Sequence, residues 1–458
     1  MAPKFGTSGL RGLVAEMTPE LITAYVQAFL RACDVGAGLY VGWDLRSSSS
    51  RIAGDVIAAA RAMGVTVTDC GALPTPALAL ASMQAGAGAV MVTGSHIPDD
   101  RNGLKFYTPG GEITKVDEGT ILTALSDAVA DIAGNGLLET DISAIPAYVA
   151  RYVQAFGCDA LSGRRIGLYA HSSVGRTALT EVLEGLGAEV VVLGWSDHFI
   201  PVDTEAVAPA VRAQIVDWVA ENNLDALVST DGDADRPLLA DETGAIVPGD
   251  IMGQITAEFL GADTVVTPIS SNSGVLQKGF GAVEQTRIGS PYVIAGMEAA
   301  GAAVVGYEAN GGFLLGFDAQ GPSGPLPALL TRDCTLPLVA VLVAAGQGGV
   351  AGRVAQEPAI VTRADRLQEI PQDKSGPLLN RLTEDAGARV AFLEALGQSE
   401  AALNLTDGLR ISLAGGGTLH LRPSGNAPEL RVYVEGNDAR AAESLLQTAL
   451  AYLAERLA

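Results

Sequence analysis

Three stretches of the chain repeat one pattern of apolar and polar positions. Each has an apolar strand, a Ser- or Gly-rich loop, a helix, a glycine and a second apolar strand. The stretches start at Leu39, Arg165 and Thr264, and the third ends at Gly312. Each pattern predicts a β-α-β unit, in which two parallel strands are joined by a right-handed crossover. We therefore expect three α/β domains of related topology, each built on a parallel sheet.

The pattern changes after Gly352. Residues 407–436 alternate as antiparallel strands do, and residues 439–458 place apolar side chains every three or four positions, which predicts an amphipathic helix. These features predict a small α+β domain at the C-terminal end. The four predicted domains span residues 1–143, 144–247, 248–355 and 356–458.

Charge and composition narrow the class of partner. The 458 residues include 29 Lys and Arg and 52 Asp and Glu, which gives a formal net charge of −23. Such a balance argues against nucleic acid and against an anionic membrane surface as partners. The N-terminal residues show no signal-peptide pattern, and the apolar stretch 336–346 is shorter than the roughly 20 residues that span a bilayer. We therefore expect a cytoplasmic protein. The four cysteines form no CxxC pair, which argues against a zinc ribbon or a redox motif.

The first candidate site lies in residues 89–107, an apolar strand that breaks at Gly94. Ser95 then stands at the carboxyl end of a strand, where open α/β sheets bind ligands. A hydrolase nucleophile fits poorly, because the residue two positions later is Ile97 where a nucleophile elbow has glycine. His96 is an awkward base for Ser95, because neighbouring side chains of an extended chain point apart. We interpret Ser95 as a phosphoryl carrier beside a metal ion; an ordinary turn is the alternative.

The second candidate site is an alternation of three carboxylates, Asp231, Asp233 and Asp235. In an extended or looped backbone these positions project to one side and converge on one cation, and carboxylates suit Mg²⁺ or Ca²⁺. An EF-hand is disfavoured because Arg236 occupies the position that requires glycine and Pro237 follows it. Arg236 also places a guanidinium group, whose paired N–H donors suit a phosphate, at the edge of the metal site. A solvated acidic turn remains the alternative.

Two further loops carry polar side chains suited to a sugar phosphate. In residues 306–313, Glu308 and Asn310 suit sugar hydroxyls, and the following glycines allow close approach of the backbone. In residues 422–436, a rigid proline and a glycine lie among hydroxyl, amide and guanidinium donors, which together form a phosphate cradle. Each loop taken alone could be an ordinary turn. The cradle residues are Arg422, Ser424, Gly425 and Asn426, and nearby Arg431 is a further candidate that could instead be structural.

Taken together, these four loops resemble the motifs of the α-D-phosphohexomutases, the phosphomannomutases and phosphoglucomutases, in the same order and at similar intervals. The segment FGTSGLRG at residues 5–12 is similar to the N-terminal motif of that family. The resemblance spans essentially the whole chain. It implies four domains around a central cleft, a Mg²⁺ cofactor and a phosphorylated hexose as substrate. It also implies exchange between hexose 6-phosphate and hexose 1-phosphate through a phosphoserine and a hexose 1,6-bisphosphate.

The resemblance also implies a role for each matching residue. Ser95 matches the phosphoserine, whose phosphate oxygen is also a metal ligand. The other matches are the metal ligands Asp231, Asp233 and Asp235, the general acid/base Lys105, the arginines Arg11 and Arg236 near the transferred phosphoryl group, His96 in support of the serine, the sugar-binding Glu308, and the phosphate clamp Arg422, Ser424, Gly425 and Asn426.

The chain departs from the family pattern in two loops. After Glu308 the family often has Ser-Gly-His, whereas this chain has residues 309–312, Ala-Asn-Gly-Gly, so a histidine contact is missing. In the phosphate loop Asn426 and Ala427 replace Thr-Glu. We favour mannose phosphates as substrates because the whole pattern resembles bacterial members with that specificity, with a phosphoglucomutase or a dual-specificity enzyme as the alternative. A phosphohydrolase, a non-catalytic sugar-phosphate-binding protein, and a monomeric or homodimeric state remain open.

Overall fold

The computed structural model describes residues 3–6, 9–125, 134–301, 303–424 and 428–457. Its four main sheets follow one another along the chain. The first sheet has the order β1-β2-β6-β5-β3-β4-β8, with β7 paired to β6. The elements of this first region are β1 (Lys4–Phe5), β2 (Leu10–Leu13), α1 (Pro19–Ala32), β3 (Leu39–Trp43), α2 (Ser49–Ala62), β4 (Val67–Ala72), α3 (Thr75–Gln84), β5 (Gly88–Val92), β6 (Arg101–Thr108), β7 (Gly111–Glu112), α4 (Lys115–Leu125) and β8 (Leu138–Thr140).

The second and third sheets follow the same plan. Their strand orders are β10-β9-β11-β12-β13 and β15-β14-β16-β17-β20, and β18 and β19 form a separate two-stranded sheet. The elements of these regions are α5 (Ala144–Phe156), β9 (Arg165–Tyr169), α6 (Arg176–Gly185), β10 (Glu189–Leu193), α7 (Pro209–Asn222), β11 (Ala226–Thr230), β12 (Pro237–Ala240), β13 (Ile246–Val247), α8 (Gly249–Phe259), β14 (Thr264–Pro268), β15 (Ala282–Thr286), α9 (Ser290–Ala300), β16 (Val304–Tyr307), β17 (Phe313–Leu315), β18 (Ala319–Gln320), β19 (Pro325–Leu326), β20 (Leu329–Asp333), α10 (Thr335–Ala345) and α11 (Gly349–Val354).

The fourth sheet is antiparallel throughout, in the order β21-β25-β24-β23-β22. Three helices accompany it, and the last is the amphipathic helix that the sequence predicts. The elements are β21 (Val361–Gln368), α12 (Gln372–Glu384), α13 (Ala386–Ala395), β22 (Glu400–Asn404), β23 (Leu409–Leu413), β24 (Thr418–Pro423), β25 (Glu429–Gly436) and α14 (Ala439–Leu457).

The three predicted β-α-β units are present, with an additional strand in the third. The pairs β3 with β4, β9 with β10, and β14 with β15 are all parallel. The third unit, which runs to Gly312, contains an additional strand: β14 is followed by a 3₁₀ helix over Ser273–Gln277, β15, helix α9 and β16, and both β15 and β16 pair parallel with β14. Asn272 begins this turn by accepting a hydrogen bond from the Gly274 amide, and the segment is too short for regular α-helix. All three units therefore keep the predicted parallel pairing of their first and last strands.

The sheets are mixed, which corrects the expectation of parallel sheets. After β5, β11 and β16 the chain returns at once as an antiparallel neighbour, β6, β12 and β17 respectively. Strands joined by such short loops pair antiparallel, because a parallel return needs a dozen or more residues. The three connecting loops, residues 93–100, 231–236 and 308–312, therefore occupy equivalent positions in the three sheets.

An apolar core joins the first three sheets, whereas the fourth sheet packs a core of its own. The shared core includes Tyr107, Tyr148, Leu168 and Leu338, and the separate core is formed from β23, β24, β25 and helices α12 to α14. Hydrogen bonds connect the fourth region to the third, including Asn272 Nδ2 to the Ile360 carbonyl at 2.9 Å. The fourth region is therefore attached through a more polar contact than the other three share.

The most apolar helical stretch lies inside the shared core. Residues Thr335–Val354 form the one described helical segment that is long and apolar enough to cross a membrane by length and composition. It is longer than the sequence pattern indicates, because α10 continues through a 3₁₀ turn into α11. In its most apolar window 56% is buried, and Leu336, Leu338 and Leu342 belong to the shared core. These contacts are those of a core helix.

Candidate active site

Three loops of the mixed sheets meet at one place, and the sequence explains why they can approach so closely. The loop of residues 231–236, the metal loop, contacts the loop of residues 93–100, the serine loop. A Cβ on Gly232 would lie 2.7 Å from the Ser95 carbonyl oxygen, so only glycine allows this contact. Likewise, a Cβ on Gly311 would lie 2.7 Å from Pro237, and the φ of Gly311 is +86°. The loop of residues 308–312, the sugar loop, therefore packs directly against the end of the metal loop.

Ser95 is held in a strained, buried conformation that directs its hydroxyl toward the metal loop. Its φ is +55°, which non-glycine residues rarely adopt, and its side chain is buried. The Thr93 hydroxyl accepts a hydrogen bond from the Ser95 amide at 2.7 Å. The Ser95 hydroxyl donates to Asp231 Oδ2 at 2.5 Å. The structure thus brings together the two loops that the sequence marked separately.

The three aspartates form a buried carboxylate cluster suited to a divalent cation. Oxygens of Asp231, Asp233 and Asp235 all lie within 4.8 Å of one another, and all three side chains are buried. Within the described residues, Asp233 Oδ1 and Asp235 Oδ1 are buried without a hydrogen-bond partner. Buried carboxylate oxygens left without donors are costly unless a cation satisfies them. The donor set is all oxygen, which fits Mg²⁺.

The backbone that creates this cluster is a turn, which is the looped form of the extended or looped backbone that the sequence pattern allowed. The φ of Ala234 is +58°, and the Asp231 amide donates to the Arg236 carbonyl at 3.1 Å. Asp231 Oδ1 also accepts a hydrogen bond from the Asp235 amide at 3.2 Å. The carboxylates converge because the loop folds back on itself. Burial and the neighbouring carboxylates raise the pKa of Asp231 well above its ordinary value.

Lys105 projects from β6 into the carboxylate cluster. Its Nζ donates to Asp233 Oδ2 at 2.5 Å and also to Asp235 Oδ2. Asp233 Oδ2 also accepts a hydrogen bond from the Thr75 hydroxyl at 2.8 Å. Although burial opposes ionisation of Asp233, Lys105 holds the pKa of this carboxyl below its ordinary range. Lys105 therefore contacts two carboxylates of the cluster, Asp233 and Asp235, whereas the Ser95 hydroxyl contacts the third, Asp231.

His96 lies closer to Ser95 than the sequence argument allowed. Neighbouring side chains point apart in an extended backbone, but the backbone at Ser95 forms a turn. The Ser95 hydroxyl therefore lies 3.4 Å from His96 Nδ1. Arg236 Nη1 also lies 2.8 Å from His96 Nδ1, and since a guanidinium can only donate, Nδ1 is the acceptor. Burial and the adjacent Arg236 lower the pKa of His96 to about 3. The imidazole is therefore neutral near pH 7 and suited to orienting Arg236.

Arg11 enters the site from the neighbouring strand. It lies on β2, opposite Gly103 of β6. Burial lowers the pKa of Arg11 to about 10, an effect that the charge of Asp233 opposes. The same interactions place its charge near Arg236 and Asp235. Thr7 and Ser8 of the N-terminal motif lie outside the described residues.

The sugar loop is a closed turn whose side chains are buried. The Glu308 amide donates to the Gly312 carbonyl at 3.1 Å, and Asn310 Oδ1 accepts from the Gly312 amide at 3.0 Å. The side-chain oxygen of Asn310 therefore supports the loop. The Thr204 hydroxyl donates to the Asn310 carbonyl at 3.3 Å, which connects the sugar loop to the second region.

The phosphate loop is described only in part. Arg422 Nε donates to Asp407 Oδ2 at 2.8 Å, and the Ser424 carbonyl accepts from Gln372 Nε2 at 2.9 Å. Gly425 and Asn426, which the sequence analysis also assigned to this loop, lie outside the described residues.

Arg431, the further candidate, lies on β25. Although burial lowers the pKa of Arg431, Tyr433 and Glu205 raise it above its ordinary value. Glu205 belongs to the second region and interacts with Arg236 as well. Arg431 and Arg236 of the metal loop therefore both interact electrostatically with Glu205.

Comparison with known proteins agrees with this arrangement of four regions. Four family models match along the chain: the phosphoglucomutase/phosphomannomutase alpha/beta/alpha domains I, II and III at residues 2–131, 146–244 and 240–344, and the C-terminal domain at residues 378–451. A phosphomannomutase of Sinorhizobium fredii is 46% identical, with 99% of both chains covered. The chain belongs to the phosphoglucomutase/phosphomannomutase family. This membership gives it the activity class of a phosphohexomutase, which is an isomerase.

Further comparisons cover the whole family fold. A phosphomannomutase of Salmonella muenchen is 41% identical over 99% of this chain and 96% of that protein. The crystal structure of a phosphoglucomutase/phosphomannomutase family protein from Burkholderia thailandensis superposes with a TM-score of 0.79 at 19% identity, covering 98% of this chain and 97% of that one. The family is magnesium-dependent, in agreement with the acidic cluster. The family fold thus spans the same four regions as the sheets described above.

Sequence reasoning missed Arg46, which organises the serine loop of this family member. This buried guanidinium donates to the carbonyls of Ser95 and Ile97 through Nη2, at 2.8 and 2.5 Å, and to those of Pro98 and Arg101 through Nη1, at 2.7 and 3.0 Å. A signal was available, because residues 44–46 follow β3, whose carboxyl end lies beside that of β5 at the same edge of the sheet.

We expect Arg46→Lys to lower kcat by at least about tenfold with a smaller change in KM. The single ammonium group of lysine cannot replace a guanidinium that donates to four carbonyls. Small errors in placing a reacting group lower the reaction rate by up to about 100-fold. Steady-state kinetics with hexose phosphates measures both constants. Arg51→Lys on α2, whose guanidinium pairs with Asp55 and is about half exposed, is the matched control. An unchanged kcat for Arg46→Lys would contradict this role.

Proposed function

We propose that this protein is a phosphomannomutase, which interconverts mannose 6-phosphate and mannose 1-phosphate. The observation that carries the proposal is the hydrogen bond from the Ser95 hydroxyl to Asp231 of the buried carboxylate cluster. The high identity to two phosphomannomutases over nearly the full chain supports mannose as the sugar. The phosphorylated form of Ser95 would donate its phosphoryl group to the free hydroxyl of the substrate.

In this proposal, the cluster of Asp231, Asp233 and Asp235 holds Mg²⁺ together with the phosphate on Ser95. Bound Mg²⁺ would supply neutralisation of the negative charge that spreads over the phosphoryl oxygens during transfer. Arg11 and Arg236 add positive charge at the same place, as their interactions with the aspartates support.

Lys105 is the proposed general acid/base in this scheme. In its neutral form, Lys105 would take the proton of the attacking sugar hydroxyl, and the resulting ammonium would return it in the reverse direction. Its position supports this role, because Nζ contacts Asp233 while Asp231 contacts the Ser95 hydroxyl. His96 would support the site by accepting a hydrogen bond from Arg236.

Substrate recognition in this proposal uses two separate loops. Glu308 and Asn310 would contact the sugar hydroxyls, and the clamp of Arg422, Ser424, Gly425, Asn426 and Arg431 would hold the phosphate that does not react. A hexose 1,6-bisphosphate, formed by the first transfer, would turn around in the cleft and return its other phosphate to Ser95. The separate core of the fourth region supports a movement that admits this rotation and then excludes water.

We also propose that the enzyme is cytoplasmic and acts as a monomer or a homodimer. The burial of the apolar helix α10 supports the location, and the net charge of −23 disfavours nucleic acid and anionic membranes as partners. Size-exclusion chromatography with light scattering tests the oligomeric state.

We expect mannose 1-phosphate to have the highest kcat/KM among mannose 1-phosphate, glucose 1-phosphate and glucosamine 1-phosphate. Mannose and glucose differ only at the 2-hydroxyl, so we expect their ratio to be modest, within about 200-fold. The experiment is a steady-state comparison with a bisphosphate activator present. Equal values for mannose and glucose would indicate dual specificity, and a large preference for the amino sugar would contradict the proposal. Free phosphate that accumulates with sugar would instead indicate a phosphohydrolase.

A further inference from the structure

Arg332 is a buried arginine that contacts carboxylates from three different regions of the protein. It lies on β20 of the third sheet, and its side chain is 3% exposed. Nη2 lies 2.9 Å from Asp235 Oδ2 of the metal loop, and Nη1 lies 3.5 Å from Glu308 Oε2 of the sugar loop. Nε lies 3.6 Å from Glu112 Oε1 of the first region. The sequence analysis gave Arg332 no role.

We propose that Arg332 is a positioning residue that links the sugar loop to the metal loop. The planar fork of its guanidinium presents Nη1 and Nη2 at a fixed angle, so the positions of Glu308 and Asp235 are set relative to each other. This inference rests on the proposed function, because it gives one residue control over both the sugar hydroxyls and the metal. Arg332 itself touches neither ligand in this assignment.

At the metal end, Arg332 selects which oxygen of Asp235 is free. Arg332 and Lys105 both contact Asp235 Oδ2. Asp235 Oδ1 is buried and lacks a hydrogen-bond partner among the described residues. The guanidinium therefore holds Asp235 through Oδ2 and leaves Oδ1, which lies 3.8 Å from Arg236 Nε, available as a ligand for a bound cation. Substituting a residue that orients a metal ligand in this way typically lowers the affinity for the metal by about 10- to 100-fold.

At the sugar end, the aliphatic part of Arg332 supports the backbone of the loop. A Cβ on Gly312 would lie 3.0 Å from Arg332 Cδ and 3.1 Å from its Cγ, so the loop rests on the arginine side chain. The guanidinium then reaches Glu308, four residues earlier in the same loop. One side chain thus contacts both the backbone and the proposed sugar ligand. A displacement of Arg332 would move both.

Glu112 anchors the guanidinium from the first region. Glu112 Oε2 accepts a hydrogen bond from the Ser290 hydroxyl at 2.9 Å, and Oε1 accepts one from Thr331 at 3.3 Å. These two hydrogen bonds hold the Glu112 carboxylate in place independently of its contact with Arg332. Three carboxylates, each from a different segment, surround one cation and leave it little freedom to move.

The test replaces Arg332 by lysine, which keeps the charge but loses the fork. We expect Arg332→Lys to weaken Mg²⁺ binding about tenfold, the scale for residues that support a metal ligand. Isothermal titration calorimetry with MgCl₂ on the dephosphorylated protein measures this without turnover. We also expect the KM for mannose 1-phosphate to rise by about tenfold, because Glu308 loses its charged hydrogen-bond donor. Arg389→Lys, a buried arginine paired with Glu400 in the fourth region, is the matched control.

The outcomes separate a linking role from a structural one. A lower melting temperature with unchanged Mg²⁺ affinity and unchanged KM would overturn the proposal, because a structural ion pair moves only the first quantity. If Arg332→Lys does not fold, Glu112→Gln tests the same link through its anchor, with smaller effects expected in the same direction. No change in either binding constant of that variant would also overturn it. If the wild type binds Mg²⁺ but turns over no hexose phosphate, the proposed function fails while the Mg²⁺ titration still decides the metal end of the link.

Discussion

Ser95→Ala is expected to lower turnover of mannose phosphates by about 10⁴-fold or more, since removing an acting nucleophile has effects of this order. The Ser95 hydroxyl is the group that would carry the phosphoryl between the two ends of the sugar. Its hydrogen bond to Asp231 and its φ of +55° fix its direction, and alanine leaves no oxygen there. A coupled steady-state assay measures turnover, and intact-mass spectrometry after incubation with a hexose 1,6-bisphosphate measures phosphorylation of the protein.

The matched control is Ser82→Ala on α3. Ser82 is also buried, but its hydroxyl donates only to the Ala79 carbonyl in the same helix. We expect this variant to retain near wild-type turnover and to accept phosphate in the mass measurement. Substantial turnover in Ser95→Ala, or phosphate that still appears on that variant, would show that another residue carries the phosphoryl group.

The fold class could be predicted because the apolar pattern repeats three times with the same order of strand, loop, helix and strand. The pattern could not predict that the serine loop, the metal loop and the sugar loop each connect a parallel strand to an antiparallel one. The loops of residues 93–100, 231–236 and 308–312 leave equivalent strands of three sheets. Their direction of return depends on loop length and on pairing with distant strands, which hydrophobic periodicity does not encode.

The candidate site was predictable where its chemistry lies in consecutive residues, as in the metal loop. It was much harder to predict for Arg332, and for Arg46 beyond its place after β3, because each acts through residues distant in sequence. Arg46 contacts carbonyls about fifty positions away, and Arg332 contacts Asp235 nearly a hundred positions away. A single arginine at the end of a strand or in the loop after it gives no sign of such distant partners. The positive φ of Ser95, which brings His96 close to its hydroxyl, is also set by tertiary contacts and not by the local sequence.

The three aspartates of the metal loop have different partners, and this difference determines which substitution is most informative. Asp231 accepts the serine hydrogen bond, and Asp235 contacts Arg332, so variants at either position also disturb another proposed role. Asp233 Oδ2 contacts Lys105 and Thr75, while Oδ1 has no hydrogen-bond partner among the described residues. A Mg²⁺ titration of an Asp233 variant involves no turnover, so it tests the metal site separately from the acid/base role proposed for Lys105.

Asp233→Asn is expected to weaken Mg²⁺ binding by more than about 100-fold, because even residues that only support a ligand change metal affinity about 10- to 100-fold. Asparagine keeps the shape and one oxygen, so it accepts the Thr75 hydrogen bond, but it removes one of three charges that attract the cation. We expect turnover at saturating sugar to fall with the metal and to recover in part at high MgCl₂. Calorimetric titration and an activity assay across MgCl₂ concentrations measure the two effects.

The control for the charge change is Asp241→Asn. Asp241 follows β12 in the same region, and its Oδ1 accepts hydrogen bonds from Thr243 and Ala245, which an asparagine oxygen can also accept. This variant removes the same charge outside the cluster, so we expect its Mg²⁺ affinity and turnover to stay close to wild type. If Asp233→Asn binds Mg²⁺ as tightly as Asp241→Asn does, the carboxylate cluster is not the metal site. The two orphaned oxygens would then need another cation, and the structure offers Lys105, which already contacts both carboxylates through Oδ2, and Arg236, whose Nε lies 3.8 Å from Asp235 Oδ1.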